Sequence, residues 1–318
     1  MLWYSTVIAV GLVALVWSAD RFVDGASAIA KRAGLTPMLI GLTIVSVGTS
    51  APEILVSIMS ALADSGELAV GNALGSNIAN VGLVLGVTLL LSSIRLGRDT
   101  IWIDLPLLML VVLVTWFLLH DLELSQSDSF VLLGMLALFF VRVGQHARKS
   151  DDDIEPREIP TLTLPLAWLS FIGGLVLLIA SSRLLVWAAA HIATALGVSE
   201  LVIGLTIVAI GTSLPELAAS VMSALKGHAD MAVGAIVGSN MFNILLVLAI
   251  PGLWDSLSLQ PAVASRDMVA VFLTTLVLAL AALWRWNGPT GSGTLGRGTG
   301  LLLLSLYIAY YGWLFLAP

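Results

Sequence analysis

Long apolar runs separated by short polar segments organise this chain. A stretch of about 20 apolar residues is long enough to cross a bilayer as a helix, and such stretches recur from one end of the sequence to the other. We assign ten predicted spans: residues 3–30, 36–63, 67–93, 100–119, 128–147, 163–194, 200–225, 231–255, 268–285 and 299–316. The pattern therefore predicts an all-α integral membrane protein with ten transmembrane helices.

The two halves of the chain are copies of each other. When Gly34 is aligned with Gly197, residues 34–80 match residues 197–243 without a gap, and 24 of these 47 positions are identical. We call this correspondence, extended along both halves, the repeat register. The main hydrophilic connector, RKSDDDIEPREIP at residues 148–160, lies between the copies. We therefore predict three parts: a first five-helix repeat at 1–147, a cytoplasmic linker at 148–162 and a second five-helix repeat at 163–318.

The second repeat is expected to enter the membrane in the opposite sense, because each repeat has an odd number of spans. Basic residues accumulate in the cytoplasmic loops of membrane proteins. With the N-terminus outside, 11 of the 14 Lys and Arg residues fall on the cytoplasmic side: Lys31, Arg32, Arg95, Arg98, Arg142, Arg148, Lys149, Arg157, Lys226, Arg285 and Arg297. This distribution predicts inverted repeats, a recurrent transporter design, with both termini outside.

Composition excludes several classes of protein. Of the 318 residues, 58% are hydrophobic and 11% are charged, whereas a soluble domain carries about 25% charged residues. The net charge is −6, and the sequence has no basic patch that would favour a nucleic acid. Cysteine is absent, which excludes disulfides and thiolate metal sites. We expect a lipid bilayer around the protein, and the sequence indicates neither a cofactor nor a protein partner.

Two predicted spans are interrupted near their middle by the same type of motif. GTSAPE begins at Gly48, and GTSLPE begins at Gly211. One interpretation is a helix-capping box, in which the serine of each motif caps a helix that starts within the span. A carboxylate in the middle of a span costs about 3 kcal/mol, however, so Glu53 and Glu216 need polar surroundings. We therefore predict that helices 2 and 7 are broken and that their two carboxylates meet near the membrane centre.

The next span of each repeat carries further matched polar residues. GNALGSNIAN ends at Asn80, and GAIVGSNMFN ends at Asn243. Ser76 and Asn80 are four residues apart and share one helical face, as do Ser239 and Asn243. Hydrogen bonding between helices is an alternative role for these side chains. The glycines of both motifs favour close helix packing: Gly71, Gly75, Gly234 and Gly238.

Together the motifs offer oxygen donors only. All-oxygen sites favour hard cations such as Ca²⁺ and Na⁺, whereas Zn²⁺ and Cu²⁺ prefer the cysteine and histidine that the motifs lack. Ca²⁺ takes about six to eight oxygens in a flexible geometry, which this set can supply. The candidate side-chain donors are Thr49, Ser50, Glu53, Ser76, Asn80, Thr212, Ser213, Glu216, Ser239 and Asn243.

At these residues the sequence resembles the cation/Ca²⁺ exchanger superfamily, and within it the prokaryotic sodium/calcium exchanger branch. The likeness is carried by GTSAPE…GNALGSNIAN and GTSLPE…GAIVGSNMFN. It implies a secondary antiporter, not an enzyme, that exchanges Na⁺ for Ca²⁺ by alternating access. It also implies that the protein extrudes Ca²⁺ and lies in the cytoplasmic (inner) membrane of a prokaryote.

The resemblance also implies a role for each motif residue. Glu53 and Glu216 would be the central Ca²⁺ ligands, assisted by the backbone carbonyls of Thr49 and Thr212. Four serines would serve flanking Na⁺ sites: Ser50, Ser76, Ser213 and Ser239. The backbone oxygens of Ser46 and Ala209 would complete those sites, and the long first and sixth helices would slide to alternate access.

Two features keep the coupling ion open. Two protons on Glu53 and Glu216 would balance one Ca²⁺ as well as two Na⁺ would, so H⁺-coupled Ca²⁺ exchange is the alternative. Asn243 stands where some members of the family carry Asp, which disfavours K⁺ coupling. Ser46 stands where we would expect Ala, and its hydroxyl lies near one predicted Na⁺ site. The Gly-Thr-Ser start of both motifs resembles the sodium branch more than the proton-coupled branch.

Other functional classes fit the sequence less well. A passive channel is usually a ring of identical subunits around a pore, and two inverted halves in one chain do not form such a ring. An intramembrane hydrolase needs an acid pair that activates water, and six hydroxyls would crowd that pair here. Asp20 and Asp24, in the first span, funnel cations towards the site, pair with nearby Arg21 or snorkel to the membrane surface.

Overall fold

Helices dominate the computed structural model, which describes residues 2–63, 65–147, 162–197, 207 and 209–316. We number them α1 Leu2–Ala33, α2 Pro37–Thr49, α3 Ala51–Leu62, α4 Gly66–Leu91, α5 Thr100–Asp121, α6 Gln126–Ala147, α7 Leu164–Ala195, α8 Ala209–Thr212, α9 Leu214–Leu225, α10 Ala229–Trp254, α11 Val263–Trp284 and α12 Arg297–Leu316. Among the described residues, seven helices are long and apolar enough to span a membrane, or eight if α2 and α3 form one bent span. The prediction of a multi-pass helical membrane protein is confirmed.

The predicted spans fall on these helices wherever the structure describes them. Spans 2 and 3, for example, were predicted at 36–63 and 67–93, and correspond to α2 with α3 and to α4. Much of the first half of the seventh predicted span, and the linker at 148–160, lie outside the described residues. A total of ten transmembrane helices stays a prediction, because length and apolar character single out fewer helices than that.

Short strands at the helix ends were not predicted. Strand β1 (Ile94–Gly97) pairs antiparallel with β5 (Ser292–Leu295), which also pairs with β4 (Trp286–Asn287). Strand β2 (Glu123–Leu124) pairs with β3 (Leu257–Ser258). Strands of two to four residues are too short to show the alternation of apolar and polar residues that identifies a strand in a sequence.

The two small sheets lie at opposite ends of α5. This helix has 22 residues, which corresponds to a length of about 33 Å, and it connects β1 at one end to β2 at the other. The repeat register relates Ile94 in β1 to Leu257 in β3. Because β3 pairs with β2, these equivalent positions of the two repeats lie at opposite ends of the helices.

The long helices α1 and α7 pack closely along each other through glycines. The backbone of Gly174 lies against Phe22, and Gly11 lies against the side chain of Leu185. The repeat register relates Gly11 to Gly174 and Phe22 to Leu185, so the two contacts are equivalent. A β-carbon at Gly25 would clash with the backbone nitrogen of Phe171, so this crossing admits no side chain there.

Helices α2 and α10 also meet backbone to backbone. A β-carbon at Gly234 would lie 2.5 Å from the carbonyl oxygen of Met38, and one at Gly238 would lie 2.5 Å from that of Leu42. The predicted packing role of these two glycines is therefore confirmed. No described atom lies within 4 Å of a β-carbon at Gly71 or Gly75, but the residues that the repeat would place opposite them lie outside the described part of the chain.

Candidate functional site

The helices break at the serine of each GTSxPE motif. Ser50 has φ −81° and ψ 4°, and Ser213 has φ −89° and ψ 3°, so both residues leave the helical region. Helix α3 is inclined by 45° to α2 across this break. A proline follows two residues later in each motif, in the first helical turn, where its missing N–H removes no helical hydrogen bond. The break predicted in the second span is confirmed.

The capping-box interpretation of the motifs is wrong. Neither Ser50 nor Ser213 makes a side-chain capping hydrogen bond to its own helix. The Ser50 hydroxyl instead donates to Oε1 of Glu216, in the other repeat, at 3.5 Å. The Ser213 hydroxyl is buried without a hydrogen-bond partner in the described part of the protein. The Ser213 hydroxyl is therefore available to a ligand, whereas the Ser50 hydroxyl already joins the two repeats through Glu216.

The two carboxyl groups are buried together at this position. The exposed fraction is 1% for Glu53 and 3% for Glu216, and the two groups lie close enough to interact electrostatically. Ser76 lies beside Glu53, and Thr49 lies beside Glu216. One oxygen of each carboxyl group, Oε2, has no hydrogen-bond partner, and no described Lys or Arg forms an ion pair with either group. An uncompensated pair of buried acids requires a cation or a proton.

The matched asparagines lie at changes of helical pitch. Asn80 begins a π-helical segment that ends at Leu85, and Asn243 begins one that ends at Val247. Both side chains are 1% exposed. Neither amide atom of Asn80 has a hydrogen-bond partner, and Oδ1 of Asn243 also has none among the described residues. The wide turn of a π-helix often marks a functional site, and buried polar atoms without partners point to a ligand.

The remaining predicted ligands are distributed over α2, α8 and α10. The Ser46 hydroxyl donates to the carbonyl of Thr43 at 3.0 Å, and the Ser46 carbonyl accepts from the backbone N–H of Ser50 at 2.9 Å. The same carbonyl also accepts from the Thr49 hydroxyl at 3.4 Å, so a cation bound to the Ser46 carbonyl would replace this longer of its two hydrogen bonds. Ser239 is fully buried, and its hydroxyl has no partner in the described region. Thr212 is half-buried, and Ala209 begins α8.

Two further asparagines belong to this region and were not among the predicted ligands. Asn77 and Asn240 are each 1% exposed, and Nδ2 of Asn240 donates to the Asn77 carbonyl at 3.5 Å across the two repeats. Oδ1 has no partner within the described structure in either residue. Both residues are identical in the aligned repeats, and that identity was the available signal. Asn77 and Asn240 directly follow Ser76 and Ser239 in the sequence. They were not selected because the prediction chose residues that share a helical face with these serines, and adjacent residues do not.

The arrangement can bind a hard cation through oxygen ligands. Two carboxylates, four serine hydroxyls and the amide oxygens of Asn80 and Asn243 come from helices of both repeats. Among the described residues, no three or more His, Cys, Asp or Glu side chains are placed so that they could hold a metal ion together, which disfavours a transition-metal centre there. Because residues 80 and 243 are both asparagine, the site carries no more than two negative charges, those of Glu53 and Glu216.

Comparison with protein families gives an extended match. The chain matches the family described as sodium/calcium exchanger protein over residues 3–144 and 166–316. A protein named as an antiporter, CaxA of Alkalimonas amylolytica, is 45% identical over 322 residues and 97% of each chain is covered. The sodium/calcium exchanger MaX1 of Methanosarcina acetivorans is 31% identical over 343 residues, with 96% of each chain covered.

Comparison with solved structures agrees. The sodium–calcium exchanger NCX_Mj, from a crystal soaked with 2.5 mM Na⁺ and 0.1 mM Ca²⁺, superposes with a TM-score of 0.83. The two sequences are 30% identical, and the superposition covers 98% of each chain. The likeness therefore extends over almost the whole fold and is not confined to the two motifs.

Proposed function

The chain belongs to the sodium/calcium exchanger protein family and is a multi-pass membrane cation/Ca²⁺ antiporter. On that premise we propose that it exchanges Na⁺ for Ca²⁺ by alternating access and normally extrudes Ca²⁺. The observation that carries this proposal is the pair of buried carboxyl groups, Glu53 and Glu216, that lack an ion-pair partner in the described structure. Ca²⁺ as substrate would neutralise both charges.

Each residue of the site then has the role that the family resemblance implies. Glu53 and Glu216 are the central Ca²⁺ ligands, and backbone oxygens of Thr49 and Thr212 add to them. The hydroxyls and amides around them supply flanking Na⁺ ligands: Ser50, Ser76, Asn80, Ser213, Ser239 and Asn243. The backbone oxygens of Ser46 and Ala209 complete those Na⁺ sites. Several weak oxygen ligands around two carboxylates suit Na⁺, whereas a proton needs only the carboxylates.

An H⁺-coupled exchanger is the alternative function, and the same two carboxyl groups support it. A site at which Glu53 and Glu216 each bind one proton returns with no net charge. The hydroxyls of Ser213 and Ser239, which have no hydrogen-bond partner among the described residues, favour Na⁺ because a proton-coupled site does not need them.

We infer further that ten helices form two inverted repeats, the architecture in which alternating access is achieved by symmetry-related movements. Equivalent strands, β1 and β3, lie at opposite ends of the helices. The contacts of Gly11 with Leu185 and of Gly174 with Phe22 are also equivalent in the repeat register. Both observations support a two-fold axis in the membrane plane. The repeats correspond to residues 1–147 and 163–318, with the linker 148–162 between them on the cytoplasmic side.

The inferred topology places the Thr290 loop in the cytoplasm and the Ser256 loop outside the cell, with both termini outside. Both residues are exposed, and the chain has no native cysteine, so single-cysteine variants give an unambiguous signal. In intact cells a membrane-impermeant maleimide should label Ser256→Cys and leave Thr290→Cys unmodified until the membrane is permeabilised. Labelling of both positions from the same side would contradict the inverted arrangement.

The proposed function predicts Na⁺-driven Ca²⁺ flux in a purified system. Proteoliposomes loaded with Na⁺ and diluted into Na⁺-free buffer should accumulate ⁴⁵Ca²⁺, at least about tenfold above vesicles loaded with choline, because outward Na⁺ flow exchanges for Ca²⁺ at the shared site. The control is protein-free liposomes under the same gradient. Equal uptake with and without Na⁺ would exclude Na⁺ coupling.

A further inference from the structure

Three charged residues outside the cation site form a compact cluster between α1 and the end of α9. Nζ of Lys226 lies 2.6 Å from Oδ1 of Asp20 and 2.5 Å from Oδ1 of Asp24. It also donates to the backbone carbonyl of Asp20 at 3.3 Å. An ammonium group has three N–H donors, and all three therefore find acceptors on α1. Asp20 and Asp24 therefore pair with Lys226, and the predicted pairing with Arg21 is wrong.

The cluster lies where α1 closes over α9. Ala219 of α9 is buried in the same apolar cluster as Val23 and Ala26 of α1, and Ala218 and Met222 pack against that cluster. Glu216 lies in the first turn of α9, and Lys226 directly follows the last residue of this helix. The two residues are therefore about 15 Å apart along the helix axis. Helix α1 therefore packs on α9 through apolar residues between the cation site and Lys226, and through ionic contacts at Lys226 itself.

The equivalent half-helix of the first repeat lacks these contacts. In α3, Leu55 is 51% exposed and Met59 is 64% exposed, whereas the equivalent residues of α9, Ala218 and Met222, are packed. Within the described residues, α7 packs against α3 at most marginally, although α1 packs along α9. In the described residues α9 is thus covered by α1, whereas α3 is not covered by α7; we call this arrangement closed along α9 and open along α3.

The sequence confines the ionic cluster to one side. The repeat register relates Lys226 to Ala63 and relates Asp20 and Asp24 to Arg183 and Trp187. No ammonium–carboxylate cluster can therefore form at the equivalent position of the other half. Because Lys226 holds two carboxylates in this state, and no lysine stands at the equivalent position of the first repeat, the two states need not be equally populated.

We propose that Lys226, Asp20 and Asp24 form a lock that holds α1 against α9 and biases the transporter towards the state closed at the Lys226 end. The proposal rests on the proposed alternating-access function. Ions bound at Glu216 leave towards the Lys226 end only after α1 separates from α9, so the three charges must separate in every cycle. The lock therefore sets how long the carrier stays in the state that is open along α3.

Two single-cysteine reporters in the otherwise cysteine-free chain test the lock. Met222→Cys reports opening along α9, and Met59→Cys reports opening along α3. With an impermeant thiol reagent added to the Lys226 side, Lys226→Gln should increase the labelling rate of Met222→Cys about fivefold, a shift expected from losing a partly buried ion pair. The labelling rate of Met59→Cys from the opposite side should fall in the same variant, and Lys226→Arg should restore both rates.

Lys31→Gln is the matched control, because it removes an exposed positive charge from the same end of α1 and should change neither rate. Asp24→Asn breaks the cluster from the α1 side and should give the same changes in the labelling rates as Lys226→Gln. It therefore tests the lock even if Lys226→Gln fails to fold. Unchanged Met222→Cys labelling would overturn the proposal. A rise in the labelling rate of Met222→Cys without a fall in that of Met59→Cys would also overturn it, because it would show increased local mobility of α9 and no shift between the two states. Neither labelling measurement requires ion exchange. If the labelling rate rises at Met222→Cys and falls at Met59→Cys in a protein that transports no Ca²⁺, the proposed function is refuted but the lock is supported.

Discussion

Glu53→Gln and Glu216→Gln should each abolish Ca²⁺ transport, with a loss of at least about a hundredfold, while the protein remains folded. Each carboxyl group is almost completely buried and has an oxygen without a hydrogen-bond partner in the described structure. A divalent cation that leaves water for this position needs both negative charges to offset its desolvation. A neutral amide of the same shape is easier to hold within a membrane than a carboxylate, so the fold should not suffer.

The measurement is ⁴⁵Ca²⁺ uptake in proteoliposomes at equal protein density, with monodisperse elution in detergent as the test of folding. Glu123→Gln is the matched control: it is the same substitution at an exposed residue of strand β2 and should retain full activity. Retained Ca²⁺ exchange in Glu53→Gln or Glu216→Gln would remove that residue from the set of Ca²⁺ ligands. Loss of activity in the control would mean that the assay reports stability instead of binding.

Much of the fold was predictable because hydrophobic spans and internal repeats are properties of the linear sequence. The apolar windows located most helices within a few residues, and the breaks followed from Gly and Pro beside a carboxylate in the middle of a span. The small sheets were not predictable. Strands β1 and β5, for example, pair segments from opposite halves of the chain, Ile94–Gly97 and Ser292–Leu295, and neither carries a strand pattern.

The candidate site was predictable as a set of residues but not as a set of contacts. The repeat pointed to Glu53, Glu216 and the Ser/Asn pairs, and the described structure brings residues of both motifs together. The role of Ser50 was open, because its spacing from Glu53 also fits a capping box. Only the position of α9 in the structure shows that the Ser50 hydroxyl donates to Glu216. Similarly, Lys226 lies in the other half of the chain from Asp20 and Asp24, so the sequence alone could not identify it as their partner.

The exchange should be electrogenic and driven by Na⁺, and the charge of the site gives the reason. Glu53 and Glu216 supply at most two negative charges, which one Ca²⁺ or two Na⁺ neutralise. The surrounding hydroxyls allow a further Na⁺ to bind, and those of Ser213 and Ser239 have no hydrogen-bond partner in the described part of the chain. The carrier would then return with one net positive charge, so an inside-negative potential should accelerate Na⁺ entry and Ca²⁺ exit. Proton coupling through the same two carboxyl groups would return the carrier without charge.

Vesicles with an imposed K⁺-diffusion potential distinguish the two mechanisms. Under a fixed Na⁺ gradient, ⁴⁵Ca²⁺ flux should change about threefold or more when valinomycin sets the membrane potential, since about 60 mV on one elementary charge corresponds to about 1.4 kcal/mol. Ser50→Ala and Ser213→Ala should weaken the Na⁺ dependence more than Ca²⁺ binding. Asn243→Asp adds an ionisable group and should make transport more dependent on pH or admit K⁺. If a pH gradient drives Ca²⁺ flux in Na⁺-free vesicles as well as a Na⁺ gradient does, and the potential has no effect, the coupling ion is H⁺ and the Na⁺ assignment is wrong.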